Sequence, residues 1–210
     1  AYHLTKRGIN DVVLLERKQL TCGTTWHAAG LVSMLWPTPT LTHLAKYCHE
    51  LYATLEEETG QATGYKQIGS LSLARNKERL EELKRNASMA KVFGVKSKIL
   101  GPEEVCGLYS GINSEGILGA LYIEKDGQTN PIDTTMALAK GAQSRGARII
   151  ESAKVDRILT DSSKVCGVTV GEEKIKCRKV ILTGGLWSRD IAASLDVHLP
   201  MYACEHYYVV

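Results

Sequence analysis

The sequence predicts an α/β fold, with α+β character, in which a doubly wound sheet is interrupted by an inserted second region. Three observations point there. Helical stripes alternate with short apolar runs along the chain. The run Val12-Val13-Leu14-Leu15 is continuous rather than alternating, as in a parallel strand covered on both faces. Between the two stretches that alternate in this way lies a segment richer in strands. The 210 residues are 44% hydrophobic and 23% charged, enough for one large domain or two small ones. Lys and Arg number 26 against 23 Asp and Glu, and neither sign forms a block, so nucleic acid is not an expected partner. No apolar run approaches the roughly 20 residues of a membrane span, and no signal or transit segment is visible at the start. The six cysteines contain no C-x-x-C pair and are expected as buried, reduced thiols rather than a zinc module or disulfide scaffold. The chain opens mid-pattern at Ala1-Tyr2-His3-Leu4 and stops within Tyr207-Tyr208-Val209-Val210, so it is expected to be a piece of something longer.

In order along the chain, Ala1 to Arg7 is a helix stopped by Gly8, and Asn10-Asp11 turns into the strand at 12–15. Thr21 to Gly30 is a loop opening a short helix. Leu41 to Glu58 carries a helical stripe of Leu41, Leu44, Ala45, Cys48, Leu51, Tyr52 and Leu55, with Gly60 past its end. Ser70 to Ala74 is a strand. Asn76 caps a helix over Lys77 to Val92, which Gly94 closes. A short helix at Pro102 to Leu108 and a strand at Gly119 to Ile123 follow. Asn130-Pro131-Ile132-Asp133 starts a helix running to about Arg145. Strands are then expected at 147–150, 154–159, 165–170 and 179–183, with turns at 161–163 and 171–173. Gly184-Gly185 breaks the last of these, and Leu186 to Leu195 is helical.

Glu16 stands at the carboxyl end of the first strand, where a doubly wound fold places a carboxylate for ribose hydroxyls; the bland reading is a surface acid at a strand end. The segment Gly23-Thr24-Thr25-Trp26-His27-Ala28-Ala29-Gly30-Leu31 combines backbone donors, hydroxyls and small residues, which suits a pyrophosphate. Equally, Trp26 could be a core aromatic and His27 a hydrogen-bonded histidine. His43 and His49 lie six apart, poor spacing for a shared metal, and are read as structural or surface residues. The runs Glu56-Glu57-Glu58 and 77–85 are read as solvated helix surface.

The sequence resembles the flavoproteins that oxidise N-methylated glycines, the sarcosine and dimethylglycine dehydrogenase family, and sarcosine dehydrogenase most. The resemblance spans essentially the whole chain. It rests on Val13-Leu14-Leu15-Glu16-Arg17, Leu20 through Leu31, Leu55 through Gly60, Asp126-Gly127 and the final His206-Tyr207-Tyr208-Val209-Val210. It implies a Rossmann-like FAD-binding domain over 1–58 and 129–198, without its first strand and glycine-rich turn. Into this is inserted part of a mixed-sheet substrate domain of the D-amino-acid-oxidase-like type, over 59–128 and 199–210. By the same resemblance His27 carries FAD covalently on its 8α-methyl carbon, and Glu16 and Arg17 serve the adenosine ribose. Gly23, Thr24, Thr25, Trp26, Ala28, Ala29, Gly30 and Leu31 line the pyrophosphate and flavin ring. The Val155 backbone meets the adenine from within a strand, and Trp187, after the returning strand at 180–183, flanks the cofactor. His206 lies on the substrate side as the catalytic candidate.

The implied reaction is oxidative demethylation of sarcosine. Electron transfer flavoprotein is the implied acceptor and the mitochondrial matrix the implied setting, with tetrahydrofolate bound only in a full-length protein. A fragment lacking the phosphate turn is expected to bind FAD poorly and to be inactive. Dimethylglycine dehydrogenase is the near alternative. A non-catalytic relative, the regulatory subunit of pyruvate dehydrogenase phosphatase, is another, although it lacks the Trp-His pair seen here as Trp26-His27.

Overall fold

The computed structural model describes residues 1–162 and 164–209. Helix α1 (Tyr2–Lys6) leads into strand β1 (Val13–Leu15) and a short 3-10 turn (Thr25–His27). Strand β2 (Leu31–Val32), helix α2 (Pro39–Thr59) and strands β3 (Lys66–Gln67) and β4 (Ser70–Ala74) follow. Next come α3 (Lys77–Val92), β5 (Lys98–Leu100), α4 (Pro102–Leu108), β6 (Gly119–Ile123) and β7 (Gly127–Gln128). Helix α5 (Pro131–Gln143) precedes strands β8 (Arg148–Ile150), β9 (Arg157–Asp161), β10 (Lys164–Val170) and β11 (Glu173–Lys176). A second 3-10 turn (Gly185–Trp187) and α6 (Ser188–Ala193) complete the regular structure. The chain divides into two compact units, 1–29 with 138–210, and 30–137. The division expected above assigns roles toward flavin and substrate rather than compactness, and its boundaries lie elsewhere.

In the first unit β1 and β8 pair in parallel, Leu14 opposite Ile149, as the continuous apolar run requires. Gly8, at φ +82°, turns the chain after α1. Strands β9, β10 and β11 form an antiparallel meander in the order β11-β10-β9. The strand expected at 179–183 is absent: these residues have no ladder partner among the described residues, and Ile181 is exposed. β-propensity alone does not assemble a strand without an edge to join. The turn expected at 171–173 is present at Gly171 and Glu172, and strand β11, not expected from the sequence, begins at its last residue, Glu173. At the carboxyl end, 201–209 is irregular rather than a strand; the expected residues Ser163 and Val210 lie outside the described residues.

The second unit holds the larger core. Strand β6 is central in the sheet β4-β6-β5 and is covered on both faces. Its alternation sends Leu121 and Ile123 toward α3, against Ala74, Leu83, Ala90 and Val95. Ala120 and Tyr122 face the other way, with Leu100, Val105 and Ile117. Helix α3 has the expected bounds because Asn76 Oδ1 accepts the Arg79 amide at 2.8 Å and Gly94 turns the chain at φ +66°. Helix α2 ends at Gly60 in the left-handed region, also as expected. Its buried face, however, is Thr42, Ala45, His49, Leu51 and Leu55, while Leu41 and Leu44 are exposed. The inward stripe is thus rotated by about one residue from the apolar one, and Thr42 is inside because its hydroxyl accepts the Trp36 amide at 3.1 Å. The thiols also differ from expectation. All six cysteines are free, but Cys22, Cys166 and Cys204 are exposed and the others half-buried, because none sits on a core-facing position.

Candidate flavin-binding segment

Past β1, the chain from Glu16 to Leu20 stays tied to the chain past β8. The Glu16 amide donates to Ile150 O at 2.9 Å, and Glu16 O accepts the Ala153 amide at 2.8 Å. Lys18 O accepts the Ser152 amide at 2.7 Å, and the Leu20 amide donates to Glu151 Oε1 at 2.7 Å. Glu16 is therefore held at the carboxyl end of a parallel strand pair, half-buried, with Oε1 accepting the Lys18 amide at 3.0 Å. The second carboxylate oxygen has no partner among the described residues, leaving an acceptor for a hydroxyl.

The Arg17 guanidinium lies 4.0 Å from the centre of the Trp187 ring, a cation–π contact. A Cβ built on Gly23 would stand 3.7 Å from Cζ3 of the same ring. Arg17, Gly23 and Trp187 thus come together, although more than 160 positions of chain separate Gly23 from Trp187. Thr21 takes φ +72°, a backbone state unusual for a β-branched residue, and swings the chain into the 3-10 turn. Within that turn His27 N donates to Thr24 O at 3.2 Å and Ala28 N to Thr25 O at 3.1 Å. The amides of Gly23, Thr24, Thr25 and Trp26 take no acceptor from the chain among the described residues. Consecutive unpaired donors at a turn fit a phosphate or a ring carbonyl, so the residues present suit a nucleotide cofactor of the expected kind.

Trp26 and His27 are both exposed, with ring centres 3.7 Å apart and planes tilted by 34°. The core reading of Trp26 is thereby overturned, since 54% of its surface is open. Ala28 is extended, and Ala29 closes the first unit. In the second unit Gly30 and Leu31 enter β2. Gly30 adopts φ +76°, and a Cβ there would fall 2.2 Å from Thr129 O, while Gly30 O accepts the Thr129 amide at 2.8 Å. Leu31 is 75% exposed.

Two expected residues are placed differently. Val155 is half-buried but precedes β9, whose ladder with β10 begins at Arg157 opposite Thr169; it sits in the connection after β8, not in a strand. His206 lies exposed in the irregular segment, and no hydrogen bond, ion pair or ring contact among the described residues links it to His27.

One histidine read from the sequence as structural or surface is a buried polar group of the second unit. His49, 2% exposed, shares a 2.7 Å hydrogen bond between Nδ1 and Tyr65 Oη, and its Nε2 has no partner. Burial lowers the His49 pKa, partly offset by the Asp126 carboxylate and the Val32 backbone. Burial also raises the pKa of the Tyr65 and Tyr52 phenols and the Cys48 thiol. Asp126 is itself buried and accepts the Met34 amide at 2.7 Å and Ser70 Oγ at 2.6 Å. The signal available in the sequence was the i, i+3, i+7 spacing of Thr42, Ala45 and His49 on α2. Among the described residues no cluster of His, Cys, Asp and Glu could hold a metal ion, and no helix is long and apolar enough to cross a membrane.

The family model described as FAD dependent oxidoreductase matches residues 1–210. The 4-methylaminobutanoate oxidase (formaldehyde-forming) of Paenarthrobacter nicotinovorans is 41% identical over 209 residues, covering all of this chain and 25% of the relative. Human mitochondrial sarcosine dehydrogenase is 40% identical over 215 residues, covering all of this chain and 23% of the relative. Among solved structures, glycine oxidase from Bacillus cereus ATCC 14579 superposes with a TM-score of 0.79 at 29% identity, over 92% of this chain and 55% of that one. The chain therefore spans about a quarter of the length of the curated relatives it matches. The match along the whole length, on a mixed α/β architecture, leads to one conclusion: the chain belongs to the FAD-dependent oxidoreductase family of the sarcosine and dimethylglycine dehydrogenases.

Proposed function

We propose that the protein containing this chain oxidises the N-methyl group of a small N-methylated amino acid, with FAD held covalently on His27. The observation that carries the reading is the segment Gly23 to His27, with its unpaired amides and an exposed imidazole beside Trp26. Bound FAD supplies a two-electron acceptor for hydride from the carbon beside the amine nitrogen. The chain's own residues position that group. Glu16 offers a carboxylate oxygen to ribose hydroxyls, Arg17 and Trp187 form a stacked wall beside Gly23, and the amides of 23–26 donate to phosphate or ring oxygens. Trp26 lies against one face of the His27 ring. The Val155 backbone is assigned to the adenine, and Ala28, Ala29, Gly30 and Leu31 to the flavin ring. In this reading the flavin domain comprises 1–58 and 129–198, and 59–128 with 199–210 belongs to the substrate domain.

His206 is assigned to the substrate side. A histidine changes charge near neutrality and can hold or release the proton that decides whether the substrate amine has a free lone pair.

Sarcosine is the substrate first inferred from the sequence, with dimethylglycine and 4-methylaminobutanoate as further members of the same chemical class; similarity to a 4-methylaminobutanoate oxidase and to a sarcosine dehydrogenase is nearly equal. Electron transfer flavoprotein as acceptor, a mitochondrial matrix setting and one-carbon capture by tetrahydrofolate follow from the likeness to the mitochondrial enzymes alone. A non-catalytic role like that of the phosphatase regulatory subunit is disfavoured by the presence of Trp26-His27.

Denaturing the native protein in acid and measuring flavin fluorescence on the polypeptide tests the reading. Protein-bound fluorescence that disappears in His27→Ala is expected, together with dye reduction driven by one of the three amines. Flavin released free from the wild type would overturn the covalent assignment. Bound flavin without turnover of any of the three amines would overturn the substrate class.

A further inference from the structure

We propose that Cys166 and Cys177 form a cross-strand dithiol that closes to a disulfide when it meets an anionic low-molecular-weight disulfide such as oxidised glutathione. Strands β10 and β11 pair with Gly167 opposite Lys176 and Val168 opposite Ile175. One step further out, the Cys177 amide donates to Cys166 O at 3.1 Å, which sets the two cysteines opposite each other at the open end of the hairpin. Directly opposed residues in a hydrogen-bonded antiparallel pair have Cα atoms about 5.5 Å apart, within the Cα range of a disulfide, and Cβ atoms up to about 5.5 Å apart, so closure draws the end of the hairpin inward by about 1 Å beyond the last ladder pair. Side chains of opposed residues also leave the sheet on the same face.

On the other edge of β10 the register with β9 slips between Val165 and Gly167, so Cys166 has no ladder partner on β9 and sits at the bulge. Both thiols are free, Cys166 exposed and Cys177 half-buried. Exposed basic residues stand near the pair along the chain: Lys164 precedes Cys166 by two, and Lys176 and Arg178 are the chain neighbours of Cys177, Lys176 leaving β11 on the opposite face. They favour approach of an anionic oxidant.

In the exchange, one cysteine thiolate attacks the oxidant's S–S bond, giving a mixed disulfide and releasing one small thiolate. The second cysteine thiolate then attacks the protein sulfur of that mixed disulfide and expels the second small thiolate. Two electrons pass from the cysteine pair to the oxidant, and the two thiol protons are taken up by the released thiolates or solvent.

The test is to incubate the native protein with oxidised and reduced glutathione, cap remaining thiols with N-ethylmaleimide, and digest with trypsin. Cleavage after Lys164, Lys174, Lys176 and Arg178 releases Cys166 within 165–174 and Cys177 within 177–178. The expected result is loss of both capped peptides and appearance of one linked species two hydrogens lighter than the sum of the two uncapped peptides, reverting with dithiothreitol. In Cys166→Ser or Cys177→Ser the linked species is absent and the remaining thiol carries a glutathione or a cap. Recovery of both peptides separately capped or separately glutathionylated in the wild type would overturn the proposal. So would a linked species equally abundant when the oxidant is added in denaturant, since only the folded hairpin sets these two cysteines opposite each other.

Discussion

Replacing Gly30 by alanine perturbs the point where the candidate flavin-binding segment enters β2. The glycine adopts φ +76°, and an added Cβ meets Thr129 O at 2.2 Å. A non-glycine residue in the left-handed region costs about 1–2 kcal/mol. The contact cannot be relieved by rotating a side chain because the obstacle is backbone, and withdrawing it breaks the 2.8 Å hydrogen bond from the Thr129 amide to Gly30 O, worth about 1 kcal/mol. Overpacking of this kind adds about 1–3 kcal/mol. Gly30→Ala is therefore expected to destabilise by about 4 kcal/mol. Gly8→Ala is the matched control, since Gly8 has φ +82° but nothing within 4 Å of its built Cβ, so only the conformational part, about 1–2 kcal/mol, applies. Urea denaturation of the native protein followed by far-UV circular dichroism measures both. With a slope of about 2 kcal/mol per M, the midpoint falls by about 2 M for Gly30→Ala and by about 0.5–1 M for Gly8→Ala. Equal shifts in the two variants would refute the steric argument.

Burial holds the His49 pKa below its unfolded value of 6.5, so His49 contributes stability above pH 6.5 that is lost as pH falls from there through the folded value. Urea midpoints measured at pH 7.5 and 5.5 are expected to drop more in the wild type than in His49→Gln; equal drops would remove His49 as the cause. Asp126→Ala strands the Met34 amide and the Ser70 hydroxyl and is expected to cost about 3 kcal/mol. Asp126→Asn, which keeps an acceptor oxygen, should recover part of that loss in a thermal melt. His206→Ala is expected to lose one limb of the pH profile of kcat/KM for an N-methyl substrate, and an unchanged profile would exclude a proton-handling role.

What was legible in the sequence tracks how local the determining forces are. Helices α3 and α4 and strand β6 were read to the residue because Asn76, Pro102 and Gly94 punctuate them and because Gly119 to Ile123 is apolar on both faces. Strand β3 was invisible: Lys66 and Gln67 are both exposed, and only their pairing with β7 makes them a strand. At 179–183 the error ran the other way, an apolar run with strand propensity and no partner. The site divides along the same line. The Gly23 to Leu31 segment was a candidate from its local chemistry together with the family resemblance, whereas the approach of Trp187 to Arg17 and Gly23 depends on tertiary placement. His49 was weighed by its spacing from His43, when the decisive fact was its place on the inward face of α2 beside Thr42 and Ala45.

Strand β7 is two residues long yet carries a ladder on each side, with Gly127 and Gln128 opposite Val32 and Leu31 on one edge and Gln67 and Lys66 on the other. Gly127 leaves no room for more: a Cβ would lie 2.5 Å from Lys66 O. So short a strand holds no order of its own. Hydrogen exchange at 31–32 and at 66–67 should therefore rise and fall together, two remote stretches of sequence opening as one because a single dipeptide joins them.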